Sequence, residues 1–519
     1  MASTSRDFHL SILDQTMLRM YVRHLLIFEF PDPGHLEDAV DALRAGLSAT
    51  IRQFPILAGT IKPSDAQTGR LSLQYPEIVS EELIDQIFTF SFDQAGNPNF
   101  EYTKMEKAGF PPSSLPRDAF CPDLLRSHPG LDDAFAEGMI SFEKGQPVPV
   151  MAVRATFTRG GLILSVYSHH SAIDGSGIAK IYKAWSGYTK SYAQTGTLKT
   201  SLESKHEVGL DAQRHSFDDL AISNESIDCP EVRYPGTPSR TTSLRAVPYK
   251  LSAKIFVFSA STISELASEL SSITKKRVSS FNALVSLLWT QVTVARSSIL
   301  AKKNIESTSL SIAYDHRKNL DEHFKESYLG NCATGIKASV PVSSNSQFST
   351  SVPKRVRDLL STESSVNDGI SFSNMLFQNP EDSIDAEMLA PTALVVADTL
   401  SSITLDWLKA RLSLFTRTPD SHRLSMDVDI VNGPDLFVTS WMRIGTDCTW
   451  GIPGTTSSLP KAIRKPQSSV EGNIHILPTV REENEAPAFE VLMCLEEWEM
   501  EKVMRRLEGE RWAIRVISA

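Results

Sequence analysis

The sequence contains 519 residues, which is too long for one typical hydrophobic core and predicts two or three domains. Its hydrophobic fraction of 41% and charged fraction of 22% are those of a soluble globular protein. The net charge of −10 excludes a dedicated nucleic-acid-binding protein, which would carry a basic face. The five cysteines are scattered without a CxxC pair, which predicts reduced thiols in a cytoplasmic protein. The N-terminus lacks the order of a signal peptide, and no apolar run approaches the roughly 18 residues that cross a bilayer, so no membrane association is expected.

The N-terminal third of the chain combines strand and helix patterns. Residues 20–30 are rich in β-branched and aromatic side chains and predict a strand. Apolar residues then recur every three or four positions over residues 36–51, which predicts an amphipathic helix that ends at Pro55. Residues 90–149 are richer in glycine, proline and charge, and we expect a loop-rich segment there.

A strand-turn-strand-helix pattern follows. Residues 151–157 alternate as on a half-buried strand, Arg-Gly-Gly at 159–161 predicts a tight turn, and residues 162–168 predict the returning strand. Apolar and aromatic residues then fall at helical spacing over 178–188. The segment 169–175 therefore connects a strand to a helix, where side chains can reach a cleft.

The chain loses its periodicity over residues 196–249, which are rich in Ser, Thr, Pro and Gly and are typical of an interdomain linker. This divides the chain into an N-terminal domain (1–195) and a C-terminal domain (250–519). Order resumes at residues 254–272, which predict a strand followed by a helix. Residues 279–296 predict a longer, more apolar helix that is buried.

The connecting segment contains His169, His170 and Asp174, which are compatible with three kinds of chemistry. A metal site is weakly supported, because no further ligand cluster with recognisable spacing lies nearby. A serine hydrolase is also weakly supported, because the sequence has no GxSxG nucleophile elbow. Direct general-base catalysis by a histidine remains, since a neutral imidazole suits that role near pH 7. A polar turn without catalytic function is the structural alternative, and it is favoured for an isolated HxxxD, because that pattern is short and common by chance.

Five blocks in this chain resemble the BAHD-type acyltransferases and stand in that family's order. HHSAIDG matches the HHxxxDG form of the family motif. The opening LSILDQTMLRMYVRHLLIFEFP is most similar to the fungal branch, which includes trichothecene acetyltransferases. The other four blocks are FPILAGTI, SSFNALVSLLWTQVTVAR, YDHRKNLDEHFKESYLGN (keeping Asp315, Arg317, Tyr328, Gly330 and Asn331) and TSWMRIGTDCTWG (keeping Asp447, Trp450 and Gly451).

The resemblance implies an α/β fold of two chloramphenicol-acetyltransferase-like domains with a channel between them. It also implies transfer of an acyl group, with acetyl the expected group, from acyl-CoA to a hydroxyl of a small secondary metabolite. His170 would be the general base, no covalent acyl-enzyme would form, and the protein would be a monomer without a bound cofactor or metal. Acyl-CoA and the alcohol would then be its partners.

The same resemblance assigns supporting residues. Asp174 would pair with Arg317 across the domains, while Gly175 would let the chain turn closely past the thioester. Thr439 and Trp441 match positions near the acyl carbonyl, where a hydroxyl and an indole N–H can stabilise an oxyanion. Burial of Trp441 as plain apolar surface is an equal alternative, and His169 is expected to be structural.

Two basic segments are candidates for binding the phosphates of CoA. Lys276, Arg277 and Ser279 precede the long apolar helix, and Lys461 follows the DCTWG block. Solvated basic turns are the alternative for both segments. The DCTWG block itself differs from the family's DFGWG, but its Asp447 is retained and is expected to support the site structurally.

Two other functions share the motif. A condensation-type domain that forms amides between carrier-bound acyl groups carries the same HHxxxDG and fold, but no carrier-protein segment is recognisable here. A catalytically inactive binder with the same fold is the non-enzyme alternative. The intact His170, Asp174 and Gly175 argue against it.

Overall fold

The computed structural model describes most of the chain, and two large β-sheets organise the described part. One sheet is built mainly from the N-terminal half of the sequence and the other from the C-terminal half. The described residues are 5–65, 67–93, 97–126, 128, 144–198, 213–221, 228–237, 243–320, 328–342, 385–467, 470–479, 488–509 and 512–518.

The strands and helices alternate irregularly along the chain. The strands are β1 (Ser5–Phe8), β2 (Tyr21–Glu29), β3 (Thr60–Pro63), β4 (Leu71–Pro76), β5 (Phe88–Phe92), β6 (Val148–Pro149), β7 (Met151–Thr158), β8 (Gly161–His169), β9 (Val232–Arg233), β10 (Leu251–Ser259), β11 (Ser307–Asp315), β12 (Ala333–Pro341), β13 (Ser425–Met426), β14 (Leu436–Ser440), β15 (Ala462–Arg464), β16 (Asn473–Leu477), β17 (Ala488–Glu496) and β18 (Ala513–Ile517). The α-helices are α1 (Ile12–Thr16), α2 (Leu36–Gln53), α3 (Glu81–Ile87), α4 (Tyr102–Lys107), α5 (Arg117–Phe120), α6 (Asp123–Arg126), α7 (Gly175–Thr195), α8 (Ala260–Thr274), α9 (Ser280–Lys302), α10 (Ala386–Ser401), α11 (Leu405–Arg417) and α12 (Glu497–Gly509).

The N-terminal sheet has the order β15-β2-β8-β7-β5. Its centre is the predicted hairpin of β7 and β8, which turns at Gly160, where a left-handed φ of 79° favours glycine. Helices α2 and α7 pack against each other on one face, and the indole of Trp185 in α7 donates a hydrogen bond to the carbonyl of Leu43 in α2 (2.9 Å). A smaller sheet, β1-β4-β3-β6, lies beside this domain.

The C-terminal sheet has the order β12-β11-β14-β16-β17-β10-β18. Strands β11, β14 and β16 run parallel, and the remaining pairs are antiparallel. Helices α8, α9, α10 and α12 share one hydrophobic core with the even-numbered side chains of β11 and β14, such as Leu310, Ile312 and Val438. This mixed α/β architecture agrees with the predicted fold class.

The predicted elements near the connecting segment are confirmed. Strand β2 covers the predicted residues 20–30, α2 covers 36–51, and α7 follows the segment 169–175 directly. Residues 90–149 contain short helices as well as loops, and residues 94–96, 127 and 129–143 of that segment lie outside the described part.

Helix α9 is the predicted apolar helix at residues 279–296. Among the described residues, one helix has the length and apolar composition needed to cross a membrane, and it is α9. Its most apolar window is 89% buried within the protein, so it is the central helix of the C-terminal core.

The predicted linker 196–249 is bounded by the end of α7 at Thr195 and the start of β10 at Leu251. Residues 213–218 within it are helical, and we call them the linker helix. The linker does not separate the two halves of the chain completely. Strand β15 belongs to the C-terminal half but pairs antiparallel with β2 of the N-terminal sheet (Ala462 opposite Ile27). The chain therefore crosses to the N-terminal sheet and returns to the C-terminal sheet at β16.

Candidate active site

The HHSAIDG segment forms the turn between β8 and α7, and backbone hydrogen bonds fix its position. The amide of His169 donates to the carbonyl of Val150, and the amide of His170 donates to the carbonyl of Met20, both at 2.8 Å. The turn closes with a bond from the amide of Ala172 to the carbonyl of His169 (3.0 Å). The HHSAIDG turn is thus held by residues directly before β7 and β2, the two neighbours of β8.

His169 is fully buried and suits the expected structural role. Its Nδ1 accepts a hydrogen bond from the backbone amide of Ser171 (3.2 Å), and its ring packs edge-on against Tyr21. Burial, with smaller contributions from the charges of His170 and Arg19, lowers the pKa of His169 to about 3. The ring is therefore neutral at physiological pH.

His170 is only half-buried, and its ring contacts Asn331. The side-chain Nδ2 of Asn331 donates to Asp14 Oδ1 and to the His170 carbonyl, both at 2.8 Å. Since an ionised carboxylate can only accept, Asn331 must present its Oδ1 to His170 Nδ1, 3.2 Å away. Nδ1 is then the protonated nitrogen, and Nε2 keeps its lone pair.

Asp174 and Arg317 form the expected ion pair between the domains. The guanidinium donates twice to the carboxylate, at 2.7 and 3.0 Å, and both side chains are buried. Asp174 also accepts the amides of Gly177 (2.9 Å) and Cys332 (3.0 Å), so it caps α7 and holds the segment after Asn331. Asp174 therefore joins three parts of the chain at one carboxylate.

Arg317 has further acceptors from the C-terminal domain. It donates to the carbonyls of Gly330 (2.7 Å) and Tyr328 (3.3 Å). Burial opposes its charge, but the attraction of Asp174 and Asp315 raises the pKa of Arg317 above its usual value. The arginine therefore stays charged at the junction.

The two glycines at the start of α7 are required by close packing. A Cβ on Gly177 would lie 2.4 Å from the carbonyl oxygen of Leu329, and one on Gly175 would lie 3.1 Å from Ile444. Gly175 was expected to let the chain turn closely past the thioester. In the structure its contact is with Ile444, so its visible role is to admit a neighbouring apolar side chain.

Asp14 and Arg214 join the site, although the sequence analysis had assigned them no role. Asp14 is fully buried in α1 and accepts the backbone amide and side-chain amide of Asn331 on one oxygen. Its other oxygen accepts Arg214 Nε at 2.8 Å. Arg214 is also fully buried and donates to the carbonyl of Ala172 in the HHSAIDG turn (2.7 Å). The pattern Ser11-x-x-Asp14 forms a capping box and was a detectable signal for a helix start only.

The DCTWG loop packs on the opposite half of α7. Trp450 is buried, with its ring centroid 5.1 Å from that of Trp185, and Cys448 is buried beside it, whereas Asp447 is exposed. The left-handed positions of the loop region are glycines, with φ of 76° at Gly445 and 57° at Gly451. The replacements at Cys448 and Thr449 therefore leave the glycine-dependent turns intact. The structural support expected of Asp447 stays a prediction.

The oxyanion candidates lie on β14 and directly after it. Thr439 is half-buried and stands opposite His475 of β16. The Trp441 ring packs edge-on between His24 and His475, with centroid distances of 4.6 and 5.0 Å. This packing agrees with the alternative that Trp441 is buried as apolar surface. A role of Thr439 or Trp441 as hydrogen-bond donor to the oxyanion stays a prediction.

The two basic segments contact different parts of the molecule. Lys276 is paired with Asp398 of α10, and Lys461 lies 3.8 Å from Glu106 of α4. Arg277 is exposed, and Ser279 caps α9 through a bond from the amide of Asn282 (3.1 Å). The Ser279 hydroxyl also donates to Asn282 Oδ1 (2.9 Å), so it is occupied within the cap. Arg277 is therefore the more available candidate for a phosphate. Among the residues that the structure describes, no group of three or more His, Cys, Asp or Glu side chains is placed to hold a metal ion.

Comparison with protein families gives two matches along the chain. Residues 20–187 match the trichothecene 3-O-acetyltransferase-like N-terminal domain, and residues 119–351 match the transferase family. The first match contains the HHSAIDG turn, and the second contains both partners of the Asp174–Arg317 pair.

Three curated relatives are named as fungal acyltransferases. The chain is 26% identical to acyltransferase easC of Emericella nidulans, over 62% of this chain and 65% of that protein. It is 22% identical to eremophilane O-acetyltransferase ORF8 of Penicillium roqueforti, over 90% and 91% of the two chains. It is 23% identical to a trichothecene 3-O-acetyltransferase of Saccharomyces cerevisiae, over 90% and 88%.

Solved structures confirm the fold. TRI101 of F. graminearum, crystallised with coenzyme A and deoxynivalenol, superposes with a TM-score of 0.72 at 18% identity, over 99% of this chain and 100% of that one. Vinorine synthase superposes with a TM-score of 0.54 at 17% identity, over 97% and 93%. The family matches and the named relatives show an acyltransferase of the transferase family that carries a trichothecene 3-O-acetyltransferase-like N-terminal domain and resembles the BAHD-type enzymes, and the superpositions show the shared fold.

Proposed function

We propose that the protein transfers an acyl group, acetyl in the first instance, from acyl-CoA to a hydroxyl group of a small secondary metabolite, with His170 as the general base. Relatives named as O-acetyltransferases of eremophilanes and trichothecenes support the acetyl group and the class of acceptor. A neighbour in fold crystallised with coenzyme A and deoxynivalenol supports the same pairing.

One observation carries the proposal. Asn331 cannot reverse its side-chain amide without placing its NH₂ group against His170 Nδ1 and its oxygen against the Asp14 carboxylate. His170 is therefore held with a proton on Nδ1 and a lone pair on Nε2. A half-buried histidine in that state can accept a proton from a substrate hydroxyl.

The reaction follows from this state. Nε2 takes the proton of the alcohol while the alcohol oxygen bonds to the thioester carbonyl carbon, giving a tetrahedral intermediate with a negative oxygen. The carbon–sulfur bond then breaks, and Nε2 returns the proton to the CoA thiolate. The alcohol has then become an ester and free CoA is released, without any bond between the acyl group and the protein.

The ion pair of Asp174 and Arg317 supports this chemistry from outside it. Both oxygens of Asp174 are occupied by donors on Arg317, Gly177 and Cys332. The carboxylate is therefore not available as the third member of a catalytic triad. We assign the pair to holding the turn against the C-terminal domain.

For the phosphates of CoA we propose Arg277, which is exposed just before α9, as the first contact. We further propose that the protein acts as a monomer in the cytoplasm. Its five free, buried cysteines suit a reducing compartment.

The test incubates wild type and His170→Ala with acetyl-CoA and polycyclic alcohols that include deoxynivalenol, measuring free thiol and acetylated product. Removing a general base lowers turnover about 10²- to 10⁴-fold, so we expect the variant to be nearly inactive while its melting temperature is unchanged. A His170→Ala protein that keeps more than about a tenth of wild-type turnover contradicts the proposal. If the protein acylated amines to amides and did not acylate the alcohols, a condensation-type activity would be favoured instead.

A further inference from the structure

We propose that Arg214 and Asp14 are positioning residues for catalysis, and that the linker helix is thereby part of the active site. They hold Asn331 in the one orientation that keeps His170 in its Nδ1-protonated form. This inference rests on the proposed function only in taking His170 as the base.

The first step is the chain of contacts itself. Arg214 Nε donates to Asp14 Oδ2 (2.8 Å), Asp14 Oδ1 accepts Asn331 Nδ2 (2.8 Å), and Asn331 Oδ1 lies 3.2 Å from His170 Nδ1. The three supporting residues are fully buried. Each contact has its donor and acceptor fixed by the previous one, beginning at a guanidinium that can only donate.

The second step is that Asp14 must be a carboxylate. Five donors converge on it: the backbone and side-chain amides of Asn331 on Oδ1, and the Ser11 amide, the Ser11 hydroxyl and Arg214 Nε on Oδ2. An asparagine at position 14 would turn its own NH₂ toward donors on one side or the other. A buried carboxylate also needs a neighbouring cation, and Arg214 is the cation bonded to it.

The third step is that Arg214 supports the catalytic turn by two contacts, one through Asp14 and one directly to the turn. Its Nη2 donates to the carbonyl of Ala172, two positions after His170, at 2.7 Å. Room for the guanidinium depends on Gly330, where a Cβ would lie 3.0 Å from Arg214 Cζ. The linker helix therefore contacts both the residue that orients His170 and the turn that carries it.

The fourth step concerns what holds the linker helix in place. Asp218 accepts the amide of Ile12 (2.7 Å) and bonds His9 Nε2 (2.7 Å). Phe217 stacks on Tyr328 with ring planes 11° apart. The helix is bonded to the N-terminal segment and packed on the segment before Asn331, so Arg214 reaches the site from a fixed support.

The test is a spectrum of the histidine rings. The protein is labelled with ¹⁵N in its histidine side chains and recorded near pH 8.5, where ordinary histidines, with a pKa of about 6.5, are neutral. Protonated and bare ring nitrogens have well-separated ¹⁵N shifts, and His170 is assigned by its absence in His170→Ala. We expect Nδ1–H alone in wild type, and a mixture of tautomers in Asn331→Ala and Arg214→Ala.

Kinetics gives the second readout. We expect kcat to fall about 10- to 100-fold in both variants, less than the loss of the base itself, with the KM values for acetyl-CoA and alcohol changed less than about twofold. Millimolar guanidinium should partly restore kcat in Arg214→Ala and have no such effect in Asn331→Ala. Arg214→Lys, which keeps the charge but loses the planar fork, should fall between wild type and Arg214→Ala.

Arg233→Ala is the matched control, because Arg233 lies in the same linker and also pairs with aspartates, Asp427 and Asp429, away from the turn. It should leave kcat and the His170 signals unchanged. If Arg214→Ala does not fold, Arg214→Lys and Asn331→Ala decide the matter. His170 signals and kcat equal to wild type in those two variants would overturn the inference. Failure of the proposed function appears differently, as an active His170→Ala protein.

Discussion

The two halves of α7 are joined to the C-terminal part of the chain by different kinds of contact. At its start, Asp174 and Gly177 are held by the Arg317 guanidinium, by the Cys332 amide and by close approach to Leu329. Further along, Trp185 is held by apolar contact with Trp450. Directional polar bonds fix the positions of atoms, whereas apolar packing fixes mainly a distance and a volume. The half next to His170 uses the first kind.

One departure of the sequence from the family lies at the apolar junction. The changes from phenylalanine and glycine to Cys448 and Thr449 fall at the apolar junction. The residues of the polar junction, Asp174, Arg317 and Asn331, all match the family blocks. An apolar junction accepts side chains of other shapes if its neighbours repack. A bidentate ion pair requires both partners in one geometry, so neither residue can be replaced in this way.

The largest effect is expected from breaking the polar junction. Arg317→Ala should destabilise the protein by about 3–5 kcal/mol, because it leaves the buried Asp174 carboxylate without its cation, and turnover should fall with it. Asp174→Asn should lose stability and activity in the same way. Denaturant unfolding of both single variants and the double variant measures their coupling, and strictly additive losses would rule out a direct interaction. Arg44→Ala, which removes the exposed pairs with Glu81 and Asp85, serves as control and should cost about 1 kcal/mol or less.

A smaller effect is expected from Gly177→Ala. The added methyl would meet the Leu329 carbonyl at 2.4 Å, so α7 must shift away from the segment that contains Asn331. We expect a loss of about 1–3 kcal/mol in unfolding free energy together with a lower kcat. Gly187→Ala is the control on the same helix, because its Cβ would meet nothing within 4 Å. It should raise stability by about 0.4–1 kcal/mol, and a Gly177→Ala protein that behaves likewise would refute the close-packing argument.

The smallest effect is expected at the apolar junction. Cys448→Ala removes one buried sulfur next to Trp450 and should cost about 1 kcal/mol in thermal or chemical unfolding. Turnover and both KM values should stay at wild-type levels, because nothing bonded to His170 is disturbed. A clear fall in kcat would mean that the two junctions are not independent.

Local patterns of apolar residues in the sequence predict much of the fold. Alternation over residues 151–168 and helical spacing after Ile178 gave β7, β8 and α7, because these elements are made from neighbouring residues. The pair of Asp174 and Arg317 came from the resemblance to a family rather than from spacing. The sequence could place His170 on a connection between elements, but not say which of its nitrogens carries a proton.

The contacts that were missed are those between distant parts of the chain. Asp14 meets Arg214 and Asn331, which are separated from it by two hundred positions or more, and no periodicity links them. Arg214 also lies in a segment rich in serine, proline and glycine, and that composition predicts a linker rather than part of a site. The pairing of β15 with β2 escaped prediction for the same reason.

That pairing has a consequence for how the protein is made. Strand β2 is synthesised among the first residues, yet the strand that covers its edge begins only at Ala462. At about 5–20 residues per second, a ribosome needs tens of seconds to reach β15. Throughout that interval the apolar edge around Leu25, Leu26 and Ile27 has no partner strand from β15 and can pair with other chains. Slow or interrupted translation should therefore favour aggregation of the N-terminal half, and a holding chaperone that binds extended apolar segments should raise the yield of folded enzyme.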